Sequence, residues 1–369
     1  MLRYARSWIR PYDNKPPRHP CNTKKRVYLK PDVLIIGQGL AGSLLAWELI
    51  QRGLQVQIID RGHQGSASAV AAGLFTPVTG KRFVLTWKAE ELLARLVDFY
   101  PALERVLDVS IFHSRDTLRI FLSEEEQALW MEKRDQLTLA PYRGADFGPG
   151  ERAMPVHHPW GGFELRGSGW VDLDGMVRAM RKVFLKRGIL IEREVDPMEL
   201  PEAERVIFCE GYRSAMNPWF KHLPFRNAHG DLLTLRIPDL SSEYILSSGV
   251  FCLPIGGDLF RVGATFNWNV HEPGPTETGR DELLERARGL ISAPMELVDN
   301  HGGIRPVAKQ RVPVAGFLPD HPHIGILNGF GAKGVLYGPY YARQLADHML
   351  DGAPLDREVA LAGRLRFDP

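Results

Sequence analysis

Three glycines, Gly37, Gly39 and Gly42, stand in the order GxGxxG, and an acid, Asp60, follows 18 residues after the last of them. Residues of these types at this spacing can hold a dinucleotide. Gly37 permits a tight turn, Gly39 lets backbone approach a pyrophosphate, and Gly42 lets a helix pack closely on a strand. Leu40 and Ala41 lie between them at the start of that helix, whose first N–H groups and partial positive charge face the phosphates. The carboxylate of Asp60 can accept hydrogen bonds from ribose hydroxyls. The elements that must position these groups are legible as well. The apolar run Val33 to Ile36 predicts a buried strand, an amphipathic helix follows, and Val56 to Ile59 predicts a second strand ending at Asp60. A lone GxGxxG is weak, but strand, glycines, helix, strand and acid within about thirty residues form a specific unit. By itself this unit could serve NAD, NADP or FAD, although an acid at position 60 argues against a 2′-phosphate.

The chain of 369 residues is long enough for two domains, and 44% hydrophobic with 24% charged residues is an ordinary globular balance. No apolar run approaches the roughly 18 to 20 residues that a membrane span needs, so no transmembrane segment is expected and peripheral contact stays open. The three cysteines, Cys21, Cys209 and Cys252, form no CxxC pair, which fits a reducing, cytoplasmic setting without a disulfide framework or structural zinc. His157 and His158 sit among prolines and glycines and read as a solvated loop, so no metal site is expected. Charge is uneven. Residues 1–30 carry nine Lys or Arg against the single acid Asp13, which leaves the remainder of the chain acidic and gives no support to a nucleic-acid partner.

Residues 1–31 read as a basic, disordered extension, either a solvated tail or one that binds anionic lipid. Beyond Asp60, the stretch containing Ser66, Ser68, Ala72 and Gly73 is rich in small residues, as suits backbone passing close to a flat ligand. A helix is predicted over residues 86–107 with a bend near Pro101, and Ser123 with Glu126 forms a capping box for a helix over 124–137. The proline- and glycine-rich segment 141–169 reads as a connection between domains. A helix over 173–187 stops at Gly188, strands over 189–195 and 205–209 follow, and the latter leads into the turn at Gly211. Short strands over 232–266 predict an antiparallel sheet. Near the C-terminus come one more strand, the glycine-rich turn Gly331 to Val335, and a helix over 334–350.

Taken together, GQGLAG ending at Asp60, SASAVAAGLF, GWVDLDGMVRAM, VIFCEGYRS, FRVGATF, GGIRPV and GFGAKGV resemble the FAD-dependent D-amino-acid oxidase superfamily, the group of glycine oxidase and sarcosine oxidase. The resemblance covers about residues 32–350. It implies a fold of mixed class, α/β and α+β, in which a Rossmann-like FAD-binding domain (32–110, 168–222 and 303–360) carries an inserted antiparallel-sheet substrate domain (111–167 and 223–302), with a tail over 361–369. It also implies an enzyme that moves a hydride from the α-carbon of an amine or amino acid to flavin, after which the imine hydrolyses. Gly37, Gly39, Leu40, Ala41, Gly42 and Asp60 would hold the ADP half, Val195 and Gly211 the adenosine side, and Ser66, Ser68, Ala72 and Gly73 the pyrophosphate and isoalloxazine. The turn of Gly331, Ala332, Lys333, Gly334 and Val335 would aim N–H groups at the flavin's pyrimidine oxygen, with Lys333 adding positive charge. Arg305 matches the family arginine that clamps the substrate carboxylate, and Arg261 falls where sarcosine oxidases carry a lysine that helps oxygen react. Val70 stands where covalent members use histidine, and no cysteine follows Cys252, so noncovalent FAD is expected. The small-molecule amine is not specified, oxygen and quinone are both open as acceptors, and glycine as substrate is in doubt because the second arginine of glycine oxidase's late turn is replaced near Ala332 and Lys333. Two alternatives are an oxidase acting on a carboxymethylamino group of modified tRNA and a flavin-binding redox sensor without turnover.

Overall fold

The computed structural model describes residues 30–62 and 65–364. The basic extension, except its last two residues, and the tail beyond Arg364 lie outside the described residues. Four apolar residues, Val33–Ile36, form the centre of a six-stranded sheet whose order is Leu190–Glu192, Val56–Asp60, Val33–Ile36, Arg205–Phe208, Ile324–Asn328, Val314–Phe317. All pairs are parallel but the last, Val314–Phe317 against Ile324–Asn328. Such a strand must be apolar throughout because both faces are covered. Val33 and Ile35 pack into the core beneath the helices Leu40–Gln51, Ala89–Leu107, Leu173–Lys186 and Gly334–Asp351, while Leu34 and Ile36 pack against Phe208, Phe220 and Ile326 on the other face. At about 1.5–3 kcal/mol for each such side chain, burial outweighs any strand propensity in fixing this element.

The helices Leu40–Gln51 and Gly334–Asp351 lie side by side and parallel. Gly334 meets Leu40, Gly338 meets Leu44, and at the far end Arg52 donates to Asp347 across 2.6 Å. Glu48 adds ion pairs to both Arg52 and Arg95, tying in the helix Ala89–Leu107. Pro339 lies inside the helix Gly334–Asp351 and cannot donate to the carbonyl four residues earlier. That carbonyl, of Val335, instead accepts from the fully buried Tyr100 hydroxyl at 3.1 Å.

A second sheet has eight strands in the order Glu296–Arg305, Ala228–Arg236, Leu259–Gly263, Val250–Gly256, Ile245–Ser248, Thr117–Ile120, Gly162–Leu165, Arg143–Phe147. It is antiparallel apart from Ile245–Ser248 against Thr117–Ile120, which run parallel. Its core face packs on the helix Glu277–Leu290 through Leu233, Leu235, Phe260, Leu283 and Leu290. The strand Glu296–Arg305 runs across the boundary expected at residue 302 and ends at the cavity described below.

The structure corrects several expectations. Segment 141–169 is no mere connection, because Arg143–Phe147 is the edge strand and Gly162–Leu165 the strand next to it, held by Phe163 stacked on Trp130 with ring centres 3.5 Å apart. Their glycines and prolines masked the alternation. The helix after Ser123 ends at Lys133, and its capping box is half formed. Ser123 Oγ accepts from Glu126 N at 3.3 Å, but the Glu126 carboxylate turns to Arg119 and to Leu122 N. The strand expected over 189–195 is Leu190–Glu192 only, since Asp60 marks the end of its neighbour.

Candidate active site

A cavity of about 940 Å³ runs from the C-terminal ends of the parallel strands to the face of the eight-stranded sheet. Ligands of open α/β sheets bind at this edge. At its dinucleotide end Gly37 has φ +100°, and a Cβ there would lie 2.5 Å from the Cys209 carbonyl oxygen. A Cβ on Gly42 would overlap the Gly37 carbonyl oxygen, so this glycine serves helix–strand packing and lies beneath the cavity lining. Leu40 N–H donates to Ser68 Oγ at 2.9 Å. Among the described residues no acceptor takes the N–H groups of Gly39, Ala41 or Gly42.

Asp60 is held by three donors: Gln38 N and Arg181 Nη1, each at 2.8 Å, and Gly62 N at 2.9 Å. An ionised carboxylate offers about four lone-pair sites, which leaves room for one more donor such as a ribose hydroxyl. Arg181 is itself fixed by Gln38 Oε1 at 2.8 Å and Glu192 Oε1 at 2.6 Å. No local pattern signals this support, because Arg181 approaches from the helix Leu173–Lys186, 121 residues from Asp60. Val195, Gly211 and Glu210 also line this end, and burial pushes the Glu210 carboxyl above the usual carboxylate range.

Ser66, Ser68, Ala72 and Gly73 line the middle of the cavity. Ser66 caps the short helix Ala67–Val70 by accepting from Ala69 N at 3.2 Å. Arg261 is outside the lining. Its Nη1 lies 3.4 Å from the Ala71 carbonyl oxygen, which places the guanidinium behind the Ala71 wall. In the late turn, Gly331, Ala332, Gly334 and Val335 line the cavity and Lys333 does not. Two of the N–H groups expected to face the ligand are already used: Gly331 N donates to Pro306 O at 2.9 Å and Lys333 N to Phe330 O at 3.1 Å. Those of Ala332, Gly334 and Val335 have no acceptor among the described residues. Burial, and then the nearby Arg311 charge, hold the Lys333 ammonium below its usual range.

The far end is formed by Gly230, Asp231, Leu232, Phe251, Phe266 and Arg305. Arg305 donates through Nη1 to Thr265 O at 3.1 Å and His229 O at 3.3 Å, and its guanidinium lies 5.3 Å from the Phe266 ring centre. No carboxylate among the described residues lies within ion-pair distance of it. Burial lowers its pKa, and the Asp231 charge opposes that effect. A Cβ on Gly230 would overlap the guanidinium and push it from this position. Asp231 is fully buried and accepts from Thr276 N at 2.7 Å, Thr276 Oγ1 at 2.9 Å and Thr265 Oγ1 at 3.1 Å. Phe251 also lines the cavity, Asn267 lines a smaller neighbouring one, and Tyr244 lies elsewhere, its hydroxyl donating to Glu164.

Residues 32–348 match the sequence profile described as DAO, FAD dependent oxidoreductase. The chain belongs to this family. It is therefore an FAD-dependent oxidoreductase. It is 24% identical over 369 residues to the glycine oxidase of Pseudomonas aeruginosa, spanning 90% of this chain and 99% of that one. It is 26% identical over 360 residues to a bifunctional tRNA 5-methylaminomethyl-2-thiouridine biosynthesis protein of Maricaulis maris, of which it spans 54%. Its fold is that of the solved glycine oxidase from Geobacillus kaustophilus, with TM-score 0.73, 20% identity, and 92% and 99% of the two chains covered. No helix among the described residues is long and apolar enough to cross a membrane.

The residues present fit FAD on grounds of their own chemistry. Two helix starts offer N–H groups without acceptors to anionic or electron-rich atoms, and both open into one continuous cavity. The close approach of Gly37 and Gly42 leaves backbone as the wall at the dinucleotide end. Residues that a sequence reading passes over, Gln38, Arg181, Glu210 and Asp231, become visible only once separate elements meet.

Proposed function

We propose that this protein oxidises a small carboxylate-bearing amine, an amino acid or N-substituted amino acid. The observation that carries this reading is Arg305, a part-buried guanidinium that among the described residues has no carboxylate partner, at the end of the cavity away from the dinucleotide motif. A buried cation is stable only when paired, and the fork geometry of arginine suits a carboxylate. FAD, when bound, supplies the two-electron acceptor for converting the amine to an imine that water hydrolyses.

The chain's own residues do the positioning. Thr265 O and His229 O fix the Arg305 fork, so a carboxylate held there has its α-carbon placed by the protein rather than by chance encounter. Leu232 and Phe251 exclude water beside it, which strengthens the charge-assisted pair. Ala332, Gly334 and Val335 would present N–H groups where negative charge grows on the reduced ring. Asp60, steadied by Arg181 and Gln38, would hold the ribose. Val70, together with Cys209 and Cys252, whose buried thiols are pushed up in pKa, favours noncovalent attachment. Arg261 behind Ala71 and Lys333 beside the late turn would add positive charge without touching substrate.

Anaerobic mixing with a panel of amino acids and N-substituted amino acids tests the proposal. Bleaching of the flavin band by at least one of them is expected, and timed re-oxidation with oxygen or quinone identifies the acceptor. A band that no member bleaches would refute it. A second reading rests on the similarity to the Maricaulis maris protein, and takes the amine to be a carboxymethylamino group on modified tRNA. Flavin that stays oxidised with such a tRNA, but bleaches with a free amino acid, removes it.

A further inference from the structure

Beside the Arg305 end lies a second cavity of about 240 Å³, and Asp231, Thr265 and Phe266 line both. Its other walls are Asn267, Trp268, Asn269, Thr276, Thr278, Gly279 and Glu282, so it holds two carboxylates, two aromatic rings and no Lys or Arg. Phe266 is 48% exposed and stands between the two spaces. Its ring meets that of Trp268 edge-on, with centres 4.7 Å apart. Both rings already attract planar cations: Arg305 lies over Phe266 at 5.3 Å and Arg226 over Trp268 at 4.2 Å. The helix Glu277–Leu290 begins here, and its N-terminus would ordinarily favour an anion. That position is taken, since the Asp231 carboxylate accepts Thr276 N and Thr276 Oγ1. A second anion would face both Asp231 and Glu282.

Resting on the reading that Arg305 holds a carboxylate, we propose that the side chain of the substrate is cationic and enters this annex. The substrate class is then an amino acid with an ammonium or guanidinium group on a short aliphatic stem. The stem passes Phe266, and the cation is received by the open faces of Phe266 and Trp268, by the Asn267 and Thr278 oxygens, and by Glu282. Among the described residues Glu282 pairs only with the exposed Arg286, at 2.6 Å, and keeps acceptor capacity. Glycine would leave the annex to water.

The test compares lysine and ornithine, in both enantiomers, with norleucine, glutamate and glycine. Affinity is read by calorimetric titration of the holoenzyme, and flavin reduction by anaerobic stopped flow. The better basic enantiomer is expected to bind about tenfold or more tightly than norleucine, the gain of a cation against aromatic rings and one carboxylate. Glu282→Gln, on the outer wall, should erase several-fold of that preference. Trp268→Leu should do the same if the variant folds, and Glu282→Gln decides the matter if it does not. Norleucine or glutamate binding as well as lysine would overturn the cationic assignment and leave the Arg305 reading intact. No binding or bleaching by any of the five would refute both.

Discussion

Replacing Arg305 by methionine separates a ligand-binding arginine from a structural one. Methionine keeps most of the volume, so no large cavity opens. Two hydrogen bonds, to Thr265 O and His229 O, are lost, at about 0.5–1.5 kcal/mol each. Against that, the fold no longer carries a part-buried, partly desolvated guanidinium that lacks an ion-pair partner, which offsets the lost bonds. Folding stability should therefore hold or rise. Ligand binding should not, because a hydrogen bond to a charged group contributes about 1.5–3 kcal/mol and each 1.4 kcal/mol is tenfold in Kd. A loss of roughly 10- to 150-fold in affinity for any carboxylate ligand is expected on that conversion. Titrating the flavin absorbance with substrate or a carboxylate inhibitor measures Kd, and thermal unfolding of the same sample measures Tm. An affinity within threefold of wild type would refute the carboxylate assignment. A Tm lowered by many degrees with affinity kept would show that Arg305 is structural.

Other outcomes follow from the cofactor end. Gly42→Ala places a Cβ on the Gly37 carbonyl oxygen and should yield protein without flavin, as judged by the ratio of absorbance at 280 and 450 nm. Glu210 is neutral-favouring in the fold, so its folded pKa exceeds its unfolded one and the fold binds the extra proton between the two. Stability from this group is then fully present below the ordinary carboxylate pKa and is lost as pH rises through the raised value. Glu210→Gln should flatten that fall in the Tm–pH curve of the flavin-free protein and should weaken the pH dependence of FAD affinity. Acid precipitation of the holoenzyme should leave the yellow colour in the supernatant, and colour fixed to the pellet would overturn noncovalent binding.

The parallel sheet was readable because a strand covered on both faces has to be apolar along its length, as Val33–Ile36 and Arg205–Phe208 nearly are. The late turn and Arg305 stood out only as a joint pattern. The eight-stranded sheet was partly hidden, since Thr117–Ile120 joins Ile245–Ser248 across more than a hundred residues and no local periodicity records that. Local signals also misjudged which N–H groups are open, because Pro306 O and Phe330 O, the acceptors for Gly331 and Lys333, are set by tertiary structure. The charge of Asp231 was invisible for the same reason: its three donors come from Thr265 and Thr276, more than thirty residues away.

The helices Leu40–Gln51 and Gly334–Asp351 lie parallel and in register, with both N-termini opening on the same cavity. Their partial positive charges, roughly half an elementary charge each, are thereby held close together. Without a cofactor this is a self-repelling pair. The arginine and carboxylate ties at Glu48 and Asp347 restrain it from the opposite ends of the helices. An electron-rich ligand that spans both openings would turn the repulsion into attraction at two points at once, so flavin would act on this fold as a keystone acts on an arch. Its removal should loosen the ends of both helices together, and hydrogen exchange at Ala41, Gly42, Gly334 and Val335 should slow in concert when it is added back.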